Sequence, residues 1–254
     1  STFCDRILKT GGEKLSESEV EDYLDKVVQI FNYLTDKDLF GEIYKTQLAK
    51  RLLNSRSSSN DMERQMIGKL KKEATPQFTS KMEGMMNDLS IGEDSAGRFN
   101  SYYKDQQQKV ELADDIGRLD FSVQILTQGH WPTYKAFEPN IPATMSSAMN
   151  VFTSFYASSE DTSHRRLAWQ WTLGSATVKA TYARKSYDFQ VSSLQGILLG
   201  LFSGTTDPIS MATLVEKMGI PEDAIKRVIH GLVFHPKQKV LIRVPGPSAD
   251  ATTP

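Results

Sequence analysis

The chain has one cysteine, Cys4, among 254 residues, which excludes an internal disulfide framework and fits a reducing compartment. No stretch approaches 18 consecutive apolar residues, so no membrane-spanning helix is expected. The opening residues STFCDRILKT lack the apolar core of a secretory signal. Neither sign of charge dominates. Thirty Lys and Arg against 31 Asp and Glu leave −1, so there is no bulk attraction to nucleic acid or to an anionic membrane. Catalytic constellations are missing as well. His130, His164, His230 and His235 are scattered, and the His230/His235 spacing is a poor metal pair. There is no glycine-rich phosphate loop with a lysine, no Gly-x-Ser-x-Gly and no His-Glu-x-x-His. The glycines of segment 11–17 follow no strand and read as a loop. Cys4 has no activating base near it in sequence, so an inert thiol is expected rather than a nucleophile. No catalytic, cofactor or metal site is expected from these motifs.

What is present is a succession of amphipathic patterns. Val20, Leu24, Val27, Phe31 and Leu34 fall at three- and four-residue spacing, one apolar stripe of a helix over 19–35. Asp38 is placed to cap the next helix, with Leu39, Ile43, Tyr44, Leu48 and Leu52 inward. The polar run 55–61 breaks it. Asn60 or Asp61 then caps a helix carrying Met62, Met66, Ile67 and Leu70. Pro76 marks another break. Phe78, Met82, Met85 and Leu89 predict a further helix that Gly92 stops, followed by a weaker helical stretch over 95–115. Successive amphipathic helices with short loops predict a bundle.

The period changes near residue 119. Segments 120–126, 167–171, 176–182 and 187–191 alternate like strands, and a helix over 145–157 lies between the first two. Such a set predicts a small sheet covered on one face. The almost wholly apolar segment 194–202 predicts a buried helix. Residues 211–219 and 221–234 predict a helix–turn–helix, with Gly219 ending one helix and Pro221 opening the next. With a strand over 239–244 these make a winged-helix module. The fold class is therefore α+β, a helical bundle followed by a small α/β sheet domain and a winged-helix module. Its parts are 1–18 (end of a stalk or leader), 19–118 (four-helix bundle), 119–192 (sheet domain), 193–245 (winged helix) and 246–254 (disordered tail).

Residues 48–89, with LAKRLL, a serine-rich break and MIGKLK, followed by QFTSKMEGM, resemble the start of the C-terminal domain of cullins. LTQGHWP (126–132), the FTSFY…RRLAWQW…LGSATVKATY run of 152–182 and FQVSSLQGILLGLF (189–202) continue that resemblance in order, so that it covers about 36–245. It implies a non-catalytic scaffold of a multi-subunit RING ubiquitin ligase, resident in cytoplasm and nucleus. A RING-box protein would add a strand to the sheet, and a ubiquitin-conjugating enzyme would be positioned for transfer to substrate. Relative to the family pattern, the adaptor-binding stalk is expected to be absent apart from a last helical piece within 1–35. The chain also stops at Pro254, before the neddylated winged helix, so no acceptor lysine is assigned and the chain reads as a fragment.

The resemblance and the sheet pattern together nominate Phe121, Val123, Ile125, Trp131, Leu167, Trp169 and Trp171 as residues near the RING-box partner. Core packing is the competing reading for each of them. The surplus of cations between residues 41 and 81 nominates Lys50, Arg51, Lys69, Lys71 and Lys81 as a groove for the acidic tail of a conjugating enzyme. A solvated face with internal ion pairs competes with that reading. The helix of 221–234 could in principle read DNA as a winged-helix regulator does, but Glu222 and Asp223 oppose Lys226 and Arg227, and phosphate binding needs a net basic face.

Overall fold

The computed structural model describes residues 1–9, 15–107, 119–159, 162, 164–181, 185–205, 207–235 and 239–244. The expected loop at 11–14, the end of the weak helix at 108–115 and the tail at 246–254 lie outside the described residues. The chain is α+β. Its described elements are α1 (Thr2–Leu8), α2 (Glu17–Asn32), α3 (Lys37–Leu53), α4 (Asn60–Glu73), α5 (Pro76–Gln107), α6 (Ala143–Ala157), β1 (Ser175–Thr181), β2 (Ser186–Ser192), α7 (Ser193–Gly200), α8 (Met211–Met218) and α9 (Glu222–Val233). They fall into two compact units. The first contains α1–α5 together with Asp120–Thr133, and the second contains α6–α9 and the two strands.

In the first unit α4 packs on α2 and α5, α3 packs on α5, and α1 packs on α2 and α3. A capping box opens α2. The Ser16 hydroxyl accepts from the Glu19 N–H at 3.4 Å, and the Glu19 carboxylate accepts from the Ser16 N–H at 2.8 Å. The buried stripe of α2 is Val20, Leu24, Val28 and Phe31. Ser59, not Asn60 or Asp61, caps α4, accepting from the N–H groups of Asp61 and Met62 at 3.2 and 3.4 Å. On α3 the inner face is Phe40, Tyr44, Leu48 and Leu52, while Leu39 and Ile43 are 59% and 42% exposed. Tyr44, Leu48 and Leu52 thus lie inward as expected, while Phe40 takes the place expected of Leu39 and Ile43, and Arg51 and Lys45 share the buried side.

Pro76 occupies the first position of α5, where its missing N–H costs no helical bond. The helix does not stop at Gly92 but runs on to Gln107. Gly92 is buried, and a Cβ there would lie 2.4 Å from the Gln124 side-chain amide. It serves close approach of an extended segment rather than termination.

A buried polar cluster ties three helices of this unit together. Arg51 on α3 is 2% exposed and Glu63 on α4 is 0% exposed. The Arg51 guanidinium donates to both Glu63 oxygens at 2.7 and 2.9 Å, and to Asp5 of α1 at 2.6 Å. Glu63 also accepts from the hydroxyls of Ser57 and Tyr44 at 2.9 and 3.3 Å. Burial would lower the Arg51 pKa, but the Glu63 hydrogen bonds and charge outweigh it and hold the guanidinium ionised. Burial, aided by the Glu63 charge, pushes the Tyr44 hydroxyl well above its ordinary range. Beside them Cys4 is fully buried, and desolvation, only partly offset by Arg51, pushes its thiol from 9.0 up to about 12.

In the second unit β1 and β2 form an antiparallel pair with Ser175 opposite Ser192 and Val178 opposite Phe189. α7 packs on both strands and on α8 and α9. Gly196 permits this, since a Cβ there would approach the Ala176 Cβ to 3.0 Å. The core is Leu194, Ile197, Leu198, Leu214, Met218, Ile220, Ala224, Ile225 and Leu232. Gly219 ends α8 in the left-handed region (φ +66°). Asn140 seals that end, its amide donating to the carbonyls of Glu216 and Lys217 and its N–H to that of Met218. Three of the expected strands are not formed among the described residues: 120–126, 167–171 and 239–244 belong to no described sheet. The last is held differently, with Val240 and Leu241 donating to the Leu232 carbonyl at 2.9 and 3.2 Å.

Two predictions follow from the buried cluster. Arg51→Ala strands the Glu63 carboxylate without its cation and should cost about 3–5 kcal/mol in urea denaturation, whereas Lys50→Ala, at the next residue, should stay within about 0.5 kcal/mol. The Cys4 thiol keeps its proton in the folded chain, while the unfolded chain releases it above pH 9.0. Stability from this group is therefore whole below pH 9.0 and is lost as pH rises toward about 12. Urea midpoints measured across that window should fall less steeply in Cys4→Ala.

Candidate partner-binding surfaces

Segment 119–126 keeps the alternation expected of a strand, with Phe121, Val123 and Ile125 half-buried and Ser122 and Gln124 exposed. Its inward side chains meet α5 rather than another strand. The Phe121 ring lies 6.3 Å from Phe99 and 6.2 Å from Tyr103, centroid to centroid. Asp88 on α5 anchors the loop that follows. Its carboxylate accepts from the Thr127 N–H at 2.7 Å, the Thr127 hydroxyl at 2.8 Å and the Trp131 indole N–H at 2.7 Å. Gly84, Asp88 and Gly92 are four apart and share one face of the helix. A Cβ at Gly84 would lie 2.4 Å from the His130 ring. The Nδ1 of His130 is buried 3.7 Å from Asp88, beyond hydrogen-bond reach.

Trp131 is 7% exposed and committed to Asp88, so its nomination as a partner contact is corrected: it is a core residue of the first unit. A buried indole N–H needs an acceptor, and here it has a carboxylate. In the second unit Leu167 and Trp169 are half-buried, and Trp169 meets Phe152 edge-on at 5.9 Å. Trp171 opens a turn and packs against the helical core. The seven nominated residues therefore divide, with Phe121, Val123, Ile125 and Trp131 in the first unit and Leu167, Trp169 and Trp171 in the second. No described sheet unites them. Among the described residues β1 and β2 pair solely with each other, and each keeps one open edge.

The cation set separates in the same way. Arg51 is buried in the Glu63–Asp5 cluster and cannot line an exposed groove, which corrects its nomination. Lys69 is bonded to Asp25 and lies 3.8 Å from Glu21. Lys71 pairs with Glu83 at 3.0 Å, and this hydrogen bond, with one from Thr79, holds the Glu83 carboxyl below its ordinary range. Lys50 and Lys81 are exposed and form no ion pair among the described residues. An internal pair of the competing kind also joins Glu42 and Lys45 at 2.6 Å. On α9, Glu222 pairs with Lys226 at 2.8 Å, which leaves that helix without the basic face DNA would require.

Sequence reasoning missed Asp88. An acidic residue beside the apolar positions 85, 86 and 89 of a helix was the available signal, because a buried carboxylate needs donors and the nearest Trp stands in the following loop. Among the described residues no group of His, Cys, Asp and Glu could hold a metal ion. No helix of the described residues is long and apolar enough to cross a membrane.

Residues 1–96 match the family model of the cullin alpha solenoid domain, and residues 125–253 match that of the cullin alpha+beta domain. Among curated proteins, Cullin-1 of Oryza sativa subsp. japonica is 40% identical over 246 residues, which is 96% of this chain and 32% of that protein. Cullin-3 of Dictyostelium discoideum is 38% identical over 243 residues, 96% of this chain and 30% of that protein. Cullin-4A of Homo sapiens is 36% identical over 241 residues, 95% of this chain and 30% of that protein. The chain spans about a third of the length of these relatives. With both halves matched in order, the chain belongs to the cullin family.

Proposed function

We propose that this chain is part of a non-catalytic scaffold of a cullin–RING ubiquitin ligase. It recruits a RING-box protein by strand addition and positions a ubiquitin-conjugating enzyme near substrate, in cytoplasm and nucleus. Three helices, α7–α9, serve in it as a winged-helix interaction module. The observation that carries this reading is the β1–β2 hairpin, which takes no third strand among the described residues and so keeps open edges. In the same unit Leu167 and Trp169 are half-buried and alternate with exposed neighbours. A visiting strand would supply main-chain hydrogen bonds to that hairpin, and Leu167 and Trp169 of the same unit would supply side-chain selectivity. A scaffold of this kind acts by proximity, raising the effective concentration of the charged enzyme and orienting the attacking amine.

Permanent heteromeric interfaces bury about 2,000–5,000 Å² and resemble a core cut in half. Expressed alone, the chain should aggregate. Co-expression with a RING-box protein should yield a monodisperse complex by size-exclusion chromatography with light scattering. A monodisperse chain that captures no RING-box protein would overturn the reading. For the conjugating enzyme, the exposed and unpaired Lys50 and Lys81 are the groove residues that remain available. The double variant Lys50→Glu, Lys81→Glu should slow transfer from an acidic-tailed enzyme by about tenfold at low salt, a difference that shrinks as salt rises. Rates and salt dependence equal to those of the parent chain would remove these lysines from the site.

A further inference from the structure

The second unit contains an open cavity of about 230 Å³ that the strand-addition reading does not use. Its apolar walls are Phe137, Trp171, Leu194, Ala224 and Val228. Its volume is below the about 300–1,000 Å³ that holds a drug-sized ligand or cofactor, so it fits one large side chain rather than a small molecule of that class. Most polar groups on its rim are already engaged. The Ser192 N–H donates to the Gln195 side chain at 3.0 Å, and the Ser192 hydroxyl accepts from the Gln195 N–H at 3.3 Å. The Gln195 amide donates to the Val228 carbonyl at 3.1 Å. Thr172 reaches the Lys135 carbonyl at 3.5 Å.

Arg227 is the exception. It is the one charged side chain among the lining residues, it is exposed, and it forms no ion pair among the described residues. The neighbouring Lys226, by contrast, is paired with Glu222. An apolar hole with a single unengaged guanidinium at its mouth is complementary to an apolar side chain followed by a carboxylate. A planar fork of donors favours a carboxylate over a neutral amide. We propose that this cavity is a docking site for a partner polypeptide in which a large apolar residue, such as Phe or Leu, is followed by Asp or Glu. The apolar side chain fills the space between Phe137, Trp171 and Val228, and the carboxylate meets Arg227.

The test uses the complex with a RING-box protein, or the chain alone should no such complex form, so failure here leaves the pull-down result standing. The probes are the blocked tetrapeptide Gly-Phe-Asp-Gly and two controls, with Asn in place of Asp and with Ala in place of Phe. The readout is the indole N–H resonance of Trp171, assigned with Trp171→Phe. The expected result is a saturable shift with Gly-Phe-Asp-Gly, and binding of each control weaker by about tenfold. Arg227→Gln, a change at an exposed residue, should abolish the preference for Asp over Asn while the preference for Phe over Ala remains. No saturable shift, equal affinity for the Asp and Asn peptides, or an Asp preference that survives Arg227→Gln would each overturn the proposal. So would a shift of the same resonance with protein concentration in the absence of peptide, because a second copy would then be the occupant.

Discussion

Glu63 has no exposed surface, and a buried carboxyl group needs hydrogen-bond partners, which Arg51 supplies with two donors and its positive charge. That requirement sets much of the first unit. Arg51 lies on the buried side of α3 with Tyr44 and Leu48, while Leu39 and Ile43 stay exposed. The requirement fixes α4 against α3 through Tyr44 and Ser57 as well as through the arginine. It also reaches α1, a helix of seven residues that would be marginal alone, through Asp5. The Ser58 N–H and hydroxyl, both donating to the Leu8 carbonyl, close the end of that helix onto the same loop.

The second unit has no comparable buried charge among its described residues and is organised by apolar burial and by caps. Ser192 and Gln195 repeat at the start of α7 the reciprocal capping that Ser16 and Glu19 provide for α2. Gly219 lets the chain reverse between α8 and α9, and Asn140 satisfies the carbonyls left open there. The two units thus reach order by different means, one through a specific ionic cluster and the other through close packing of α7 on a small hairpin.

Much of the fold was legible in the sequence because helical periodicity is a local property. The stripe of α4 and the Gly219–Pro221 junction follow from spacing alone, and so does most of the α2 stripe, although Val28 rather than Val27 is buried and Leu34 is exposed. What was not legible depended on long-range partners. Alternation at 120–126 reappears as alternating burial without a strand, because pairing is a property of two segments, and Phe121 there meets the helix α5. Gly92 looked like a helix stop, because a sequence does not display the chain that approaches from 32 residues further on. Arg51 looked like a groove cation because its basic neighbourhood suggested a surface, whereas its two carboxylate partners lie 12 and 46 positions away. Trp131 was read as a partner contact for want of its acceptor, Asp88, 43 positions back.

Gly84 and Gly92 leave the face of α5 beneath residues 124–131 without side chains on either side of Asp88. The spaces over the two glycines are taken by the His130 ring and the Gln124 side chain, which seat into the helix face as knobs do. Between them one carboxylate holds three donors, which behaves as a pin rather than a zipper. A zipper yields one tooth at a time, whereas a pin is either seated or withdrawn. The loop from Thr127 to Trp131 is thus held on α5 in a single setting, and Asp88 is the group on which that setting turns.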